Sequence, residues 1–259
     1  MILLESLLVA LSTYSIIPMP QFEWNEKNMK YALSFLPVVG IVCGALLFGW
    51  YELCISCEFS SLLFAIVAVS IPVLVTGGIH LDGYMDTRDA LASHQTKERK
   101  LEILKDPHCG AFAVIYCIVY FILSIAFYNE IYPLRTVLVM CPAFVLSRAL
   151  SVLCAVNIPG AKNGGMLKAY TENTVRAKVN IAMSVVALLS AAGMVLISAV
   201  TGGIALGCGG LSVLYYCLMV RKQFGGVTGD TAGYFLQIFE LACLLGTMVG
   251  TLVQIALLL

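Results

Sequence analysis

The sequence predicts an all-α fold, a polytopic integral membrane helical bundle of about seven or eight transmembrane helices. Three observations carry that expectation. The chain of 259 residues is 60% hydrophobic and only 12% charged, whereas a soluble domain is roughly half apolar and a quarter charged. Its mean hydropathy is +0.94. Apolar stretches approaching the roughly 17–25 residues that cross a hydrocarbon core of about 30 Å recur along its whole length. The formal net charge is zero, which speaks against a nucleic-acid partner. No soluble domain, repeat or low-complexity segment interrupts the pattern, so residues 1–259 read as one integral membrane domain.

Eight stretches are candidate spans. Ile2–Ile17 is the shortest; it carries Glu5, lacks a basic leader and ends at Pro18-Met19-Pro20, so a cleaved signal peptide is not expected. Tyr31–Tyr51, Phe59–Ile79, Cys109–Tyr128 and Pro133–Val156 follow. Val179–Val200 and Gly202–Val220 meet at Thr201, as a tight hairpin or one broken element, and Tyr234–Leu259 closes the chain. Most of the ten cysteines lie inside these runs, where they act as small hydrophobes. Cys54 and Cys57 form a C-x-x-C in a short loop, with no second pair to complete a zinc site.

The loops sort by charge. Lys27 and Lys30 share one side with Arg88, Lys97, Arg99, Lys100 and Lys105, then with Lys162, Lys168, Arg176 and Lys178, then with Arg221 and Lys222. The opposite side holds only Arg135. Basic loops are cytoplasmic by the positive-inside rule.

Gly77 to Asp89 reads Gly-Gly-Ile-His-Leu-Asp-Gly-Tyr-Met-Asp-Thr-Arg-Asp, directly after the Phe59–Ile79 run. If the segment after His80 is helical, Asp82, Asp86 and Asp89 fall at i, i+4 and i+7, on one face. Like charges so spaced repel by a few tenths of a kcal/mol per pair, and a sequence that keeps them has a cation to hold; clustered carboxylates suit Mg²⁺ or Mn²⁺. The alternative is a solvated helix end with coincidental spacing. Glu102 and Asp106 are again four apart, with Lys105 beside them. They fit a phosphate-and-metal site or an exposed helix with ordinary salt bridges, closed by Pro107.

Gly225-Gly-Val-Thr-Gly-Asp230 precedes the last span. Gly226 and Gly229 allow close approach of an anion, Thr228 can contact phosphate or metal, and Asp230 is a further metal ligand or a helix cap. Glu240, about three turns into an apolar helix, calls for a cavity or a partner. Arg148, after Ser147, snorkels to the interface or neutralises buried phosphate or carboxylate. His80 can be ligand, base or cap.

The Gly77–Asp89 segment resembles the G-G-x-H-L-D-G-x-x-D-T-x-D signature of the adenosylcobinamide-GDP ribazoletransferase, or cobalamin synthase, family. Leu101-Glu-Ile-Leu-Lys-Asp106 with Gly110, and Gly225-Gly-Val-Thr-Gly-Asp-Thr231 followed by Glu240, resemble two further segments of it, and Pro18-Met-Pro20, Pro37, Gly40, Gly44 and Ser147-Arg148 fit in order. Ile16 stands where the family commonly has arginine, Ala90 where it has glycine, and Asn157 to Lys168 matches loosely.

The resemblance implies the last assembly step of the cobalamin nucleotide loop. α-Ribazole, or its 5′-phosphate, attacks adenosylcobinamide-GDP, releasing GMP and forming adenosylcobalamin or its 5′-phosphate. It further implies Mg²⁺ as cofactor, a prokaryotic cytoplasmic membrane with the active site facing the cytoplasm, and contact with other cobalamin-pathway enzymes. On that reading Asp82, Asp86 and Asp89 hold metal at the diphosphate, with Asp106 or Asp230 completing the site. Lys105 and Arg148 offset phosphate charge, while Gly226, Thr228, Gly229 and Glu240 contact substrate. Asp89 or His80 assists deprotonation of the attacking oxygen.

Two rivals differ in class. A CDP-alcohol phosphotransferase shares the Asp82-Gly83 start, but Asp86 stands where its motif has alanine. A cation-coupled transporter would place Glu240, Arg148 and the acids along an ion path, with inverted repeats that this sequence does not display.

Overall fold

A computed structural model describes residues 2–20, 29–161, 167, 170–171 and 174–258. The helices are α1 (Ile2–Tyr14), α2 (Leu36–Ser56), α3 (Ser61–Thr76), α4 (Ile79–Ala92), α5 (Lys97–Ile103), α6 (Ala111–Ile131), α7 (Met140–Asn157), α8 (Arg176–Ile197), α9 (Ala199–Gln223) and α10 (Gly229–Leu258), with short 3-10 turns leading into α2 and α7. Among the described residues there is one isolated β-bridge and no strand. The bundle is all-α, as expected.

Among the described residues six helices, counting the 3-10 turns that extend α2 and α7, are long and apolar enough to cross a membrane. This is a multi-pass membrane protein. α3 joins the count only together with α4, from which it is bent by 96°. α1 falls short of the Ile2–Ile17 span: at 13 residues it reaches about 20 Å, less than the hydrocarbon core. At the Thr201 junction, Ser198 alone is extended between α8 and α9 and its hydroxyl accepts from the Thr201 N–H. The chain reverses there as a hairpin, since Asn180 near the start of α8 bonds Asn157 while Cys154, on the same stretch of α7, lies against Cys217 of α9.

The span containing α7 is central, with 72% of its apolar window buried, against 17% for α8 on the rim. Small residues set the closest approaches. β-Carbons at Gly40 and Gly44 would fall 2.5 and 2.8 Å from the carbonyl oxygens of Phe144 and Cys141, and those at Gly246 and Gly250 would fall 2.6 Å from the Cα atoms of Ala205 and Thr201. Helices in lipid gain little from excluding water, so backbone proximity through small-x-x-x-small faces supplies their adhesion. An aromatic cluster lies at one end: Phe64 stacks on Tyr132 at 4.6 Å, and the Tyr51 hydroxyl donates to the Pro133 carbonyl at 2.8 Å. The Cys54–Cys57 pair is at this end too, but not in a loop: Cys54 is within α2 and Cys57 caps it, both free thiols. A helix of apolar residues simply continues through Cys54.

Candidate active site

At the other end, α3 stops at Gly77 and Gly78, both left-handed with φ of 63° and 82°. Their N–H groups donate to Leu74 and Val73 carbonyls, closing α3 with the cap that glycine favours. The chain leaves at nearly a right angle as α4, and a β-carbon at Gly77 would strike Ile16 Cγ2 at 2.7 Å. Ile16 also donates its N–H to the Val75 carbonyl, so the residue replacing the family's usual arginine packs against the bend.

α4 is helical throughout, which puts Asp82, Asp86 and Asp89 on one face. Gly83 presses that helix onto α10: a β-carbon there would sit 2.7 Å from the Asp230 carbonyl, and one on Gly233 would sit 3.0 Å from the His80 carbonyl. This crossing brings Asp230 to the α4 carboxylates. Burial first, then the charges of Asp82, Asp230 and Asp89, push the Asp86 carboxyl up to about 6. The Asp89 carboxylate lies against Gly110, in the space that a β-carbon there would take. Among the described residues no salt bridge neutralises these four acids.

The glycine-rich turn is fixed by backbone packing and by a helix cap. Gly226 lies against residues 159–161, with a β-carbon there only 2.3 Å from the Pro159 carbonyl, and Val227 exchanges backbone bonds with Pro159 and Ala161. Thr228 and Thr231 cap α10 reciprocally: each hydroxyl accepts the other's N–H, at 3.1 and 2.8 Å. Gly229, exposed, begins α10, and Asp230 follows as its second residue. The Asn157–Lys168 loop lies partly outside the described residues, as do Lys27, Lys162 and Lys168.

Arg148 and Glu240 are 1% and 4% exposed and form an ion pair with each other, joining α7 to α10 in the interior. Ser147 donates to the same carboxylate at 2.8 Å, and Arg148 also donates to the Phe144 carbonyl at 3.0 Å. The two charges therefore neutralise each other within the bundle, while the buried Arg148 Nε has no hydrogen-bond partner among the described residues. His80 is buried and stacked on Tyr14, centroids 6.1 Å apart, with its Nε2 lacking a partner among the described residues. Asp106 and Lys105 lie in the exposed loop after α5. Asp106 accepts from the His108 N–H at 3.0 Å, which lowers its pKa. The expected Glu102–Asp106 helical face is absent because α5 ends at Ile103; Glu102 instead pairs with Arg99 on the surface at 2.6 Å.

Two residues outside the expected set matter here. Arg88 is held among the rings of Tyr84, Tyr116 and Tyr234 at 5.3, 4.6 and 5.2 Å; the tyrosine one turn before it was the available signal. Buried Lys100 donates to Gln223 Oε1 at 2.5 Å, a partner 123 residues away that nothing local indicates.

Four carboxylates from two distant segments thus gather beside a right-angled bend. Their donors are all oxygen, the chemistry Mg²⁺ takes. Among the described residues no three His, Cys, Asp or Glu side chains stand close enough to hold an ion unaided. Mg²⁺ keeps several waters and needs only one or two carboxylates beside substrate phosphate, so the set fits it.

Comparison with known proteins agrees in one direction. The family model for cobalamin-5-phosphate synthase matches residues 6–248. An adenosylcobinamide-GDP ribazoletransferase of Lachnoclostridium phytofermentans is 39% identical, over 95% of this chain and 94% of its own. Those of Clostridium perfringens and Desulfitobacterium hafniense are 32% and 30% identical, over 90% and 94% of this chain and 92% and 96% of theirs. No solved structure matches. With its signature placed at the α3–α4 bend and its match running nearly end to end, the chain belongs to the cobalamin-5-phosphate synthase family.

Proposed function

We propose that this chain joins α-ribazole, or its 5′-phosphate, to adenosylcobinamide-GDP, releasing GMP and forming adenosylcobalamin or its 5′-phosphate. The supporting observation is the convergence of Asp82, Asp86, Asp89 and Asp230, which leaves Asp86 protonated to about pH 6 unless a cation relieves it. The relatives' names supply the substrate class. The site faces the cytoplasm of a prokaryotic inner membrane, because the basic loops share its end of the bundle.

A free ribose hydroxyl of the riboside, not the 5′ oxygen that the 5′-phosphate already occupies and keeps in the product, attacks the cobinamide-side phosphorus of the diphosphate. A new P–O bond forms, the bond to the bridging oxygen breaks, and GMP leaves with that oxygen. One or two of Asp82, Asp86 and Asp230 would hold Mg²⁺ together with substrate phosphate, and the ion would neutralise charge on the diphosphate. Asp89, whose carboxylate lies against Gly110, is the group assigned to accept the proton of that attacking hydroxyl. His80, facing Tyr14, and the Arg148–Glu240 pair fix α4 and α10 rather than touch substrate.

The test is GMP release by the full chain in lipid vesicles given both substrates. Release that requires both substrates and stops on chelation, resuming with Mg²⁺, is expected. Full-rate release after chelation would remove the metal assignment, and no release under any condition would remove the reaction.

A further inference from the structure

Behind the carboxylates, on the opposite side of α4, lies a cavity of about 550 Å³. Arg88, which lines it, is roughly 200° around the helix from Asp86, at about 100° per residue. The walls are Phe112 and Tyr116 of α6 and Tyr215 and Leu218 of α9. Those two helices scarcely touch, so the gap between them is what opens the cavity. On both sides the apolar surface continues outward: Ile115, Ile118 and Ile122 of α6 are 52, 52 and 61% exposed, and Leu211 and Leu214 of α9 are 69 and 57% exposed. In a multi-pass protein such surfaces meet acyl chains.

One end of the cavity is basic. Arg88, His94 and Lys222 line it, and among the described residues no acidic side chain does. The Arg88 guanidinium is fixed by its three tyrosines, yet its Nε has no hydrogen-bond partner among the described residues. The site therefore joins an apolar slot open to lipid with cationic groups at the end where the basic loops emerge. A free phosphate or nucleotide would leave the slot unfilled, and a neutral lipid would leave the charges uncompensated.

We propose that this cavity binds one anionic phospholipid, its phosphate between Arg88 and Lys222 and an acyl chain along Phe112, Tyr215 and Leu218. Basic pockets between membrane helices on the cytoplasmic side recognise such head groups. The lipid bridges α6, α9 and the back of α4, and so braces the helix that carries the carboxylates. The proposal is independent of the reaction assigned above.

The experiment is lipid retention by the delipidated full-length protein in mild non-ionic detergent, read by native mass spectrometry and thermal unfolding. Phosphatidylglycerol and phosphatidylcholine of identical chains are compared. One phosphatidylglycerol per chain, a raised melting temperature and about tenfold weaker retention in Lys222→Glu, recovered in Lys222→Arg, are expected. Lys222→Gln serves if the charge reversal does not fold. Equal retention of the two lipids, or undiminished phosphatidylglycerol binding in the Lys222 variants, would overturn the proposal. So would displacement of the lipid by millimolar GMP or inorganic phosphate, which would make the cavity a polar substrate site.

Discussion

Asp86 is the most informative single residue because its environment makes a signed statement about pH. Its carboxyl is raised to about 6 from an ordinary value of 3.8, so between those values the folded protein holds a proton that the unfolded chain has lost. Metal-free protein is accordingly expected to lose stability as pH rises through that window, and Asp86→Asn should flatten the dependence. Mg²⁺ competes with the same proton, so its apparent affinity should fall as pH drops below about 6; calorimetric titration at pH 5 and 7.5 checks this. Asp82→Ala is expected to reduce turnover by about 100-fold or more with an unchanged melting temperature, as loss of a charge-stabilising group does. The Arg148–Glu240 pair makes a contrasting prediction. Removing one partner strands a buried charge at roughly 3–5 kcal/mol, so Glu240→Gln should lower the melting temperature sharply. Replacing both, as Arg148→Met with Glu240→Leu, should recover most of the loss in thermal unfolding.

At the scale of elements, the site depends on how α4 leaves α3 and how closely it lies on α10. A β-carbon at Gly83 meets backbone, not a movable side-chain end. Gly83→Ala should therefore cost about 1–3 kcal/mol as overpacking does, and should lower turnover beyond what the stability loss explains by shifting Asp82 and Asp86 from Asp230. Paired kinetics and melting curves would check that. Gly77 and Gly78 separate two causes. Both need positive φ, but a β-carbon at Gly78 meets nothing within 4 Å while one at Gly77 meets Ile16. Gly78→Ala should cost only the left-handed penalty of about 1–2 kcal/mol; Gly77→Ala should cost more, with part returned by Ile16→Ala in the same melting assay.

At the scale of the whole molecule, the exposed thiols report orientation. Cys57 lies at the aromatic end and Cys109 beside the acidic end, and both are exposed. In intact cells stripped of any outer layer, a membrane-impermeant maleimide is expected to label Cys57 and to reach Cys109 only after permeabilisation. The opposite pattern would place the carboxylates outside the cell. The arrangement also bears on the transporter alternative: Glu240 and Arg148, the charges deepest in the apolar region, neutralise each other instead of lining a path.

Most of the spans and the helical register of Asp82, Asp86 and Asp89 were legible in the sequence; the shortness of α1 and the right-angled break after Thr76 were not. Each legible feature rests on short-range periodicity or on the energetics of moving single residues into lipid. The reciprocal Thr228–Thr231 cap, the Arg148–Glu240 pair, the Lys100–Gln223 bond and the inward turn of His80 were not, because each depends on which helices meet and at what rotation. Asp106 illustrates the difference. Its spacing from Glu102 matched that of Asp82 and Asp86, but the α5 helix ends at Ile103, before reaching it. Local pattern nominated the acids; only the close crossing of two distant helices brought Asp230 to those of α4.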